Sequence, residues 1–168
     1  MERVPLPVQD QLWEYYCHHS GEALAGLELG LGIEIGHLDS AGMLLVSCDT
    51  LLEGLEALID YAPVIGDGGV FELTHEGELL GICYQPSYQL RVGERVEAVM
   101  ASLLKLSRWA TGQAFIPSEL RLSHSPLASP HEYEQRLDLE VQFNASRNGL
   151  YFAVAQGDLP LIQANSQL

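Results

Sequence analysis

The chain has 168 residues, a length that fits one domain, or one domain with a small appendage. Hydrophobic residues make up 47% and charged residues 18%, enough apolar material for a core, and no window approaches the ~18 consecutive apolar residues that a membrane helix needs. The net charge of −15, from 23 acidic and 8 scattered basic residues, sets the chain against direct contact with DNA or anionic membranes, because such contact relies on Lys and Arg neutralising phosphates.

In chain order, Met1-Glu2-Arg3-Val4-Pro5 lacks the basic start and apolar run of a signal peptide, so a cytoplasmic location is expected. The spacing predicts a helix from Pro5 to His19, with Val8, Leu12, Tyr16 and Cys17 on one stripe widened by Trp13, stopped by Ser20-Gly21. A short helical segment from Glu22 to Leu29 follows. Gly26, Gly30, Gly32 and Gly36 come next, without the Lys of a phosphate loop or the strand–GxGxxG–helix context of a dinucleotide site. Their expected role is to let the backbone turn or pack closely. Leu38 to Cys48 reads as another short helix. Thr50-Leu51-Leu52-Glu53 is a capping box, in which the Thr50 hydroxyl accepts from the Glu53 amide and the Glu53 carboxylate from the Thr50 amide. Leu51, Leu52, Leu55, Leu58, Ile59 and Ala62 continue it at helical spacing, with Pro63 after the last turn.

Residues 70–74 and 79–84 flank the turn His75-Glu76-Gly77-Glu78 as a hairpin. A long helix is predicted from Gly93 to Thr111, its apolar face made by Val96, Val99, Met100, Leu103, Leu106 and Ala110, with Gly112 as the stop. Glu119 to His124 is a strand, and Ser129-Pro130-His131-Glu132 is a second capping box opening a helix to Leu137. Leu139 to Phe143 alternates as a strand, residues 144–149 supply turn types, Leu150 to Val154 returns as the partner of a closing hairpin, and residues 157–161 read as extended. The order is N-terminal helices, hairpin, helix, strand, helix, hairpin: an α+β fold with helices packed on a mainly antiparallel sheet.

Three blocks, in order and spacing, resemble the arabinose-binding-like N-terminal domain of AraC-type bacterial transcription regulators. The first is Val4-Pro5-Leu6, a helix, then Gly26-Leu27-Glu28-Leu29-Gly30. The second is Gly42 to Ser47 leading into Thr50-Leu51 and the helix from Leu55 to Tyr61. The third runs from His124 and Pro126 through Tyr133 and Val141-Gln142-Phe143 to Asn148-Gly149-Leu150-Tyr151-Phe152 and Asp158-Leu159-Pro160-Leu161. The resemblance covers nearly the whole chain. It implies a single effector-binding and dimerisation domain over residues 1–168, with the helix-turn-helix domain of the family absent from this chain. It also implies an unknown small-molecule effector, a homodimer, and contact with DNA only through that missing domain. An exposed helix such as 94–111 is the expected dimer surface.

A sensor needs an apolar cavity with a few polar groups. The aromatic candidates, on elements expected to face one another, are Trp13, Tyr61, Phe71, Tyr84 and Trp109. The polar candidates are Arg121, His124 and Arg108. Arg121 interrupts a strand, where an unpaired charge is costly, so it either meets a ligand carboxylate or pairs with Glu119 or Glu140. No cofactor, metal or catalytic residue is expected. Cys17-His18-His19 cannot converge on one ion, because consecutive helical residues point about 100° apart. Cys17, Cys48 and Cys83 form no C-x-x-C pair. Two alternatives remain open: a dimerisation module that takes no ligand, and a small thiol enzyme pairing Cys83 with His124 or His75.

Overall fold

A computed structural model describes residues 5–33, 39–65 and 68–162. Val4, Gly36, Leu38 and the tail Ala164 to Leu168 lie outside the described residues. Helices α1 (Leu6–Ser20), α2 (Ala25–Leu31), α3 (Asp39–Val46) and α4 (Leu51–Ile65) come first. The hairpin β1 (Gly69–Glu76) and β2 (Leu79–Pro86) follows, then the long helix α5 (Val92–Ala110). Strand β3 (Glu119–Arg121), helix α6 (Pro130–Leu137), strands β4 (Val141–Gln142) and β5 (Asn148–Ala153) and a 3-10 turn (Val154–Asp158) complete the chain. The fold is α+β, as the order of patterns predicts.

The sheet has the order β1-β2-β5-β3-β4, antiparallel except between β3 and β4. The closing hairpin expected from residues 139–154 does not form. β4 lies parallel to β3 at the sheet edge, and β5 sits on the other side of β3, between it and β2. Alternation assigns the faces of a strand but not its neighbour. Residues 122–140, which include α6, give the long crossover that parallel pairing requires. The Leu122 amide still donates to the Gln142 carbonyl at 2.8 Å, which prolongs the edge pairing beyond β3.

One face of the sheet carries Leu80, Ile82 and Tyr84 of β2, Leu120 of β3, and Leu150 and Phe152 of β5 into a core shared with α5. Along α5, Val96, Met100, Leu103, Leu104, Leu106 and Ala110 are all buried, so this helix is the central element of the molecule. The expectation that residues 94–111 offer an exposed dimer surface is therefore corrected. Apolar residues recurring on more than one side of a helix mark burial, not a free face.

Helix α2 crosses α5 closely. A Cβ at Gly26 would fall inside the Glu94 carbonyl, and one at Gly30 would fall inside the Ala98 carbonyl, so the two glycines set the approach of the backbones. Lys105 Nζ donates to the Leu31 carbonyl at 2.7 Å and closes the end of the same contact.

Helix α4 opens with the expected Thr50 cap, the Glu53 amide donating to Oγ1 at 3.3 Å. The Glu53 carboxylate, however, accepts from the Asp49 amide at 3.3 Å. The helix continues past Pro63 to Ile65, one turn beyond the stop that a proline usually imposes. Residues 157 and 158 belong to the 3-10 turn. The extended tail begins at Leu159, where Pro160 bridges to Thr50 and seats Leu161 in the core. The Ser129–Glu132 capping box is present in full.

Helix α1 departs most from its pattern. No residue of it is buried, and Leu12 and Tyr15 are 60% and 65% exposed. It is held by Leu6 against the core and by polar links to the α5 region, in which Arg91 grips Glu14 at 2.9 and 3.0 Å and Arg95 meets Asp10 at 2.5 Å.

Candidate functional site: an apolar cavity with one buried cation

Beneath α1 and α2 lies a cavity of about 460 Å³, within the range that small-molecule sites occupy. Each neighbouring element contributes part of its wall. Gln9 and Trp13 of α1 and Leu29 and Gly30 of α2 close one side. Leu55, Leu58 and Ile59 of α4 form another, one helical stripe generated by i, i+3, i+4 spacing. The hairpin supplies Phe71, Ile82 and Tyr84, whose side chains point to the helical face of the sheet because residues two apart share a face. Helix α5 supplies Arg95, Val99, Ser102 and Leu106, again successive turns of one helix edge. The wall is therefore almost wholly apolar, with polar groups gathered around Arg95, Tyr84 and Tyr88.

Arg95 is 2% exposed. Its Nη1 donates to Asp10 at 2.5 Å and to the Leu90 carbonyl at 3.1 Å, while its Nε is buried with no partner. The guanidinium carbon stands 3.8 Å from the centre of the Tyr88 ring, a stacked cation–π contact. The Tyr84 hydroxyl donates to the Gly68 carbonyl at 3.0 Å and lies 3.3 Å from the Tyr88 hydroxyl. Burial holds both phenols above the ordinary tyrosine range, so both are neutral hydroxyls that can donate or accept. The Phe71 ring leans on Tyr84 at 4.9 Å.

Of the residues singled out in the sequence, the structure brings Trp13, Phe71 and Tyr84 together on this wall. The other five lie elsewhere. Tyr61 is half-buried on the last turns of α4, and Trp109 packs against the core at the far end of α5. Arg121 is on the opposite face of the sheet. It bonds Glu76 at 2.9 Å and Glu119 at 3.1 Å and stacks on the Tyr151 ring at 3.9 Å, which resolves its cost as a surface ion pair. Glu140 bonds the Gln142 side chain instead. His124 places Nε2 2.8 Å from the buried Glu97 carboxylate, which also accepts from the Tyr133 hydroxyl at 2.5 Å. Arg108 donates to the Leu137 and Asp138 carbonyls at the end of α6.

Arg95, Tyr88, Gln9 and Ser102 were missed. One signal was available for Arg95. It stands one turn before Val99 and two before Ser102 on the predicted helix, a cation at the edge of an apolar stripe.

The alternative chemistry is arranged differently from what it would need. The Cys83 thiol has Tyr151 Oη at 3.4 Å and Thr74 Oγ1 at 3.6 Å as its partners, while His124 is engaged by Glu97. Cys17 is half-buried with its thiol pushed up by burial, and the His19 ring stacks on Tyr15 at 3.9 Å. Among the described residues no three His, Cys, Asp or Glu side chains are placed to hold a metal ion, and no helix is long and apolar enough to cross a membrane.

An α+β domain that encloses an apolar cavity with a few convergent polar groups has the form of a small-molecule binding module. The chain belongs to the family described as the arabinose-binding domain of AraC transcription regulators, N-terminal, whose model matches residues 1–161. Its fold is similar to the crystal structure of the transcriptional regulator CdpR from Pseudomonas aeruginosa, with a TM-score of 0.77 at 15% identity. That alignment covers 98% of this chain and 54% of CdpR, so the chain spans about half the length of that regulator. No curated protein matches the sequence.

Proposed function

We propose that this domain senses a small-molecule effector in the cavity beneath α1 and α2, and that in a complete regulator it dimerises and governs DNA binding by a separate C-terminal domain. The observation that carries the reading is the cavity itself: an apolar chamber of about 460 Å³ with an incompletely satisfied buried arginine in its wall. A partly open, mainly apolar cleft of this size with a few convergent polar groups is the form that small-molecule sites take. Membership of the regulator family supports the role in transcription. The net charge of −15 supports leaving phosphate contacts to another domain. Trp13, Phe71 and Tyr84 are the proposed ligand contacts, and Tyr61, Trp109, Arg121 and His124 take structural roles. Control would follow from population shift, an effector favouring one arrangement of the dimer over the other.

The test is a thermal-shift screen of amino acids, sugars, aromatic acids and fatty acids, repeated on Val99→Trp, which fills the cavity from α5. A ligand at about 100 times its Kd adds about 2.7 kcal/mol, a rise of roughly 5–10 °C for a domain of this size. That rise disappears in Val99→Trp. A ligand that stabilises both proteins equally binds elsewhere and removes the cavity reading. Sedimentation equilibrium at micromolar concentration reads dimerisation separately.

A further inference from the structure

The cavity's electrostatics narrow its occupant. We infer that the effector is a monocarboxylic acid on an apolar body, its carboxylate bound by Arg95 in competition with Asp10. This deepens the reading of the cavity as an effector site and rests on it.

Arginine presents its N–H groups as a planar fork that matches a carboxylate with two parallel bonds. In the structure Asp10 takes only Nη1, and the Leu90 carbonyl shares that same nitrogen. The Nε proton, on the other limb of the fork, is buried and unpaired. A buried donor without an acceptor keeps its full desolvation cost, so the site is poised for an anion that can engage it. A neutral hydroxyl or carbonyl oxygen can accept from Nε as well, but without the charge assistance that makes a carboxylate the stronger partner.

The rest of the chamber sets the body and the charge of the ligand. Leu29, Leu58, Ile59, Val99 and Phe71 present hydrocarbon and an aromatic face, and among the described residues Arg95 is the one cation in the wall. A dianion such as a phosphate monoester, even after displacing Asp10, would bring one charge more than the Arg95 guanidinium neutralises. A monoanion that displaces Asp10 keeps the pair count constant. Tyr88 stacks beneath the guanidinium and holds its plane, and the Tyr84–Tyr88 hydroxyl pair lies on the same wall.

The exchange also links occupancy to α1. Asp10 sits on a helix with no buried residue, one of whose ties to the rest of the domain is this ion pair. A carboxylate that replaces Asp10 on Arg95 releases that tie, and α1 becomes the element that carries the signal outward.

The probes are octanoate and 1-octanol, which share a chain and differ in the head group. They are titrated into the 168-residue chain carrying Trp109→Phe, so that Trp13 on the cavity wall is the single tryptophan reporter. Octanoate is expected to bind at least about tenfold more tightly than octanol, as a charge-assisted pair requires. Arg95→Met abolishes that preference and leaves octanol affinity within about twofold. Asp10→Asn, which keeps the arginine and removes its competitor, tightens octanoate several-fold and leaves octanol unchanged. If Arg95→Met does not fold, Asp10→Asn decides alone. Equal binding of octanoate and octanol overturns the carboxylate assignment and leaves the cavity reading intact. A parallel loss of both ligands in Asp10→Asn makes Arg95 a mere strut for α1 and also overturns it. Binding of neither ligand, with no response to Val99→Trp in the metabolite screen, removes the cavity reading and this inference together.

Discussion

Glu97 has no exposed surface, yet only one of its carboxylate oxygens is bonded. That oxygen accepts from Tyr133 at 2.5 Å and faces His124 Nε2 at 2.8 Å, tying α5 to α6 and to the segment after β3. Tyr133 in turn accepts from the Leu127 amide at 3.0 Å, and burial beside Glu97 holds its hydroxyl well above the ordinary phenol range. Tyr133→Phe deletes one donor and one acceptor from a group that water does not reach. The expected loss is about 1–3 kcal/mol, seen as a lower urea midpoint with an unchanged slope. An unaltered midpoint would show that Glu97 is satisfied without the phenol. Residue identity alone could flag His124 as polar and interesting. It could not say whether its partner was a ligand or Glu97, because the two lie 27 positions apart and meet only through packing.

At the scale of elements, the α2–α5 crossing is the contact most sensitive to small changes. Gly26→Ala places a methyl against the Glu94 carbonyl backbone, which cannot rotate away. The expected cost is at least about 1–3 kcal/mol, the usual range for overpacking, and a thermal melt reads it. Gly21→Ala is the contrast: it has open space but a positive φ of 66°, so its cost comes from backbone strain alone. The glycine cluster was legible in the sequence as a place for close packing, but its partner was not. Long amphipathic segments were legible in kind and nearly in extent, since α5 and α6 follow directly from apolar periodicity and capping. The pairing of β4 and β5 was not, because hydrogen-bonding neighbours in a sheet are chosen by the crossover path and by what each strand covers. Helix α1 shows the converse limit: its apolar stripe has helical spacing, and the fold leaves that stripe largely outside the core.

For the whole molecule, 15 units of net negative charge make self-repulsion a general term. Moderate salt is expected to raise the melting temperature, since screening acts on scattered surface charges at distances beyond about 10 Å. The pH dependence has two limbs. Arg91 and Arg121 donate to Glu14 and Glu76 and hold these carboxyls below the ordinary range. A depressed folded pKa gives stability that is present above the unfolded value and is lost as pH falls through the folded one. Burial holds Tyr84, Tyr88, Tyr133 and Tyr151 above the ordinary range. Their contribution is present below about pH 10 and is lost as pH rises beyond it. Stability measured by denaturant from acid to alkaline pH should therefore form a plateau with both limbs. Glu76→Gln should act mainly on the acid limb and flatten it. A steeper acid limb in that variant would contradict the assignment.

Composition and pattern by themselves determined the anionic character, the α+β class, the positions of the long helices and of the first hairpin, and the family resemblance. Those properties are local or additive: charge sums over residues, periodicity repeats within one element, and a capping box spans four positions. Only the tertiary structure decided that Arg95 is the buried cation of the cavity while Arg121 lies across the sheet, and that Trp13, Phe71 and Tyr84 share a wall from which Trp109 is distant. A cavity is the space between elements distant in sequence. Its shape depends on crossing distances set by Gly26 and Gly30 and on the strand order, neither of which periodicity along the chain encodes.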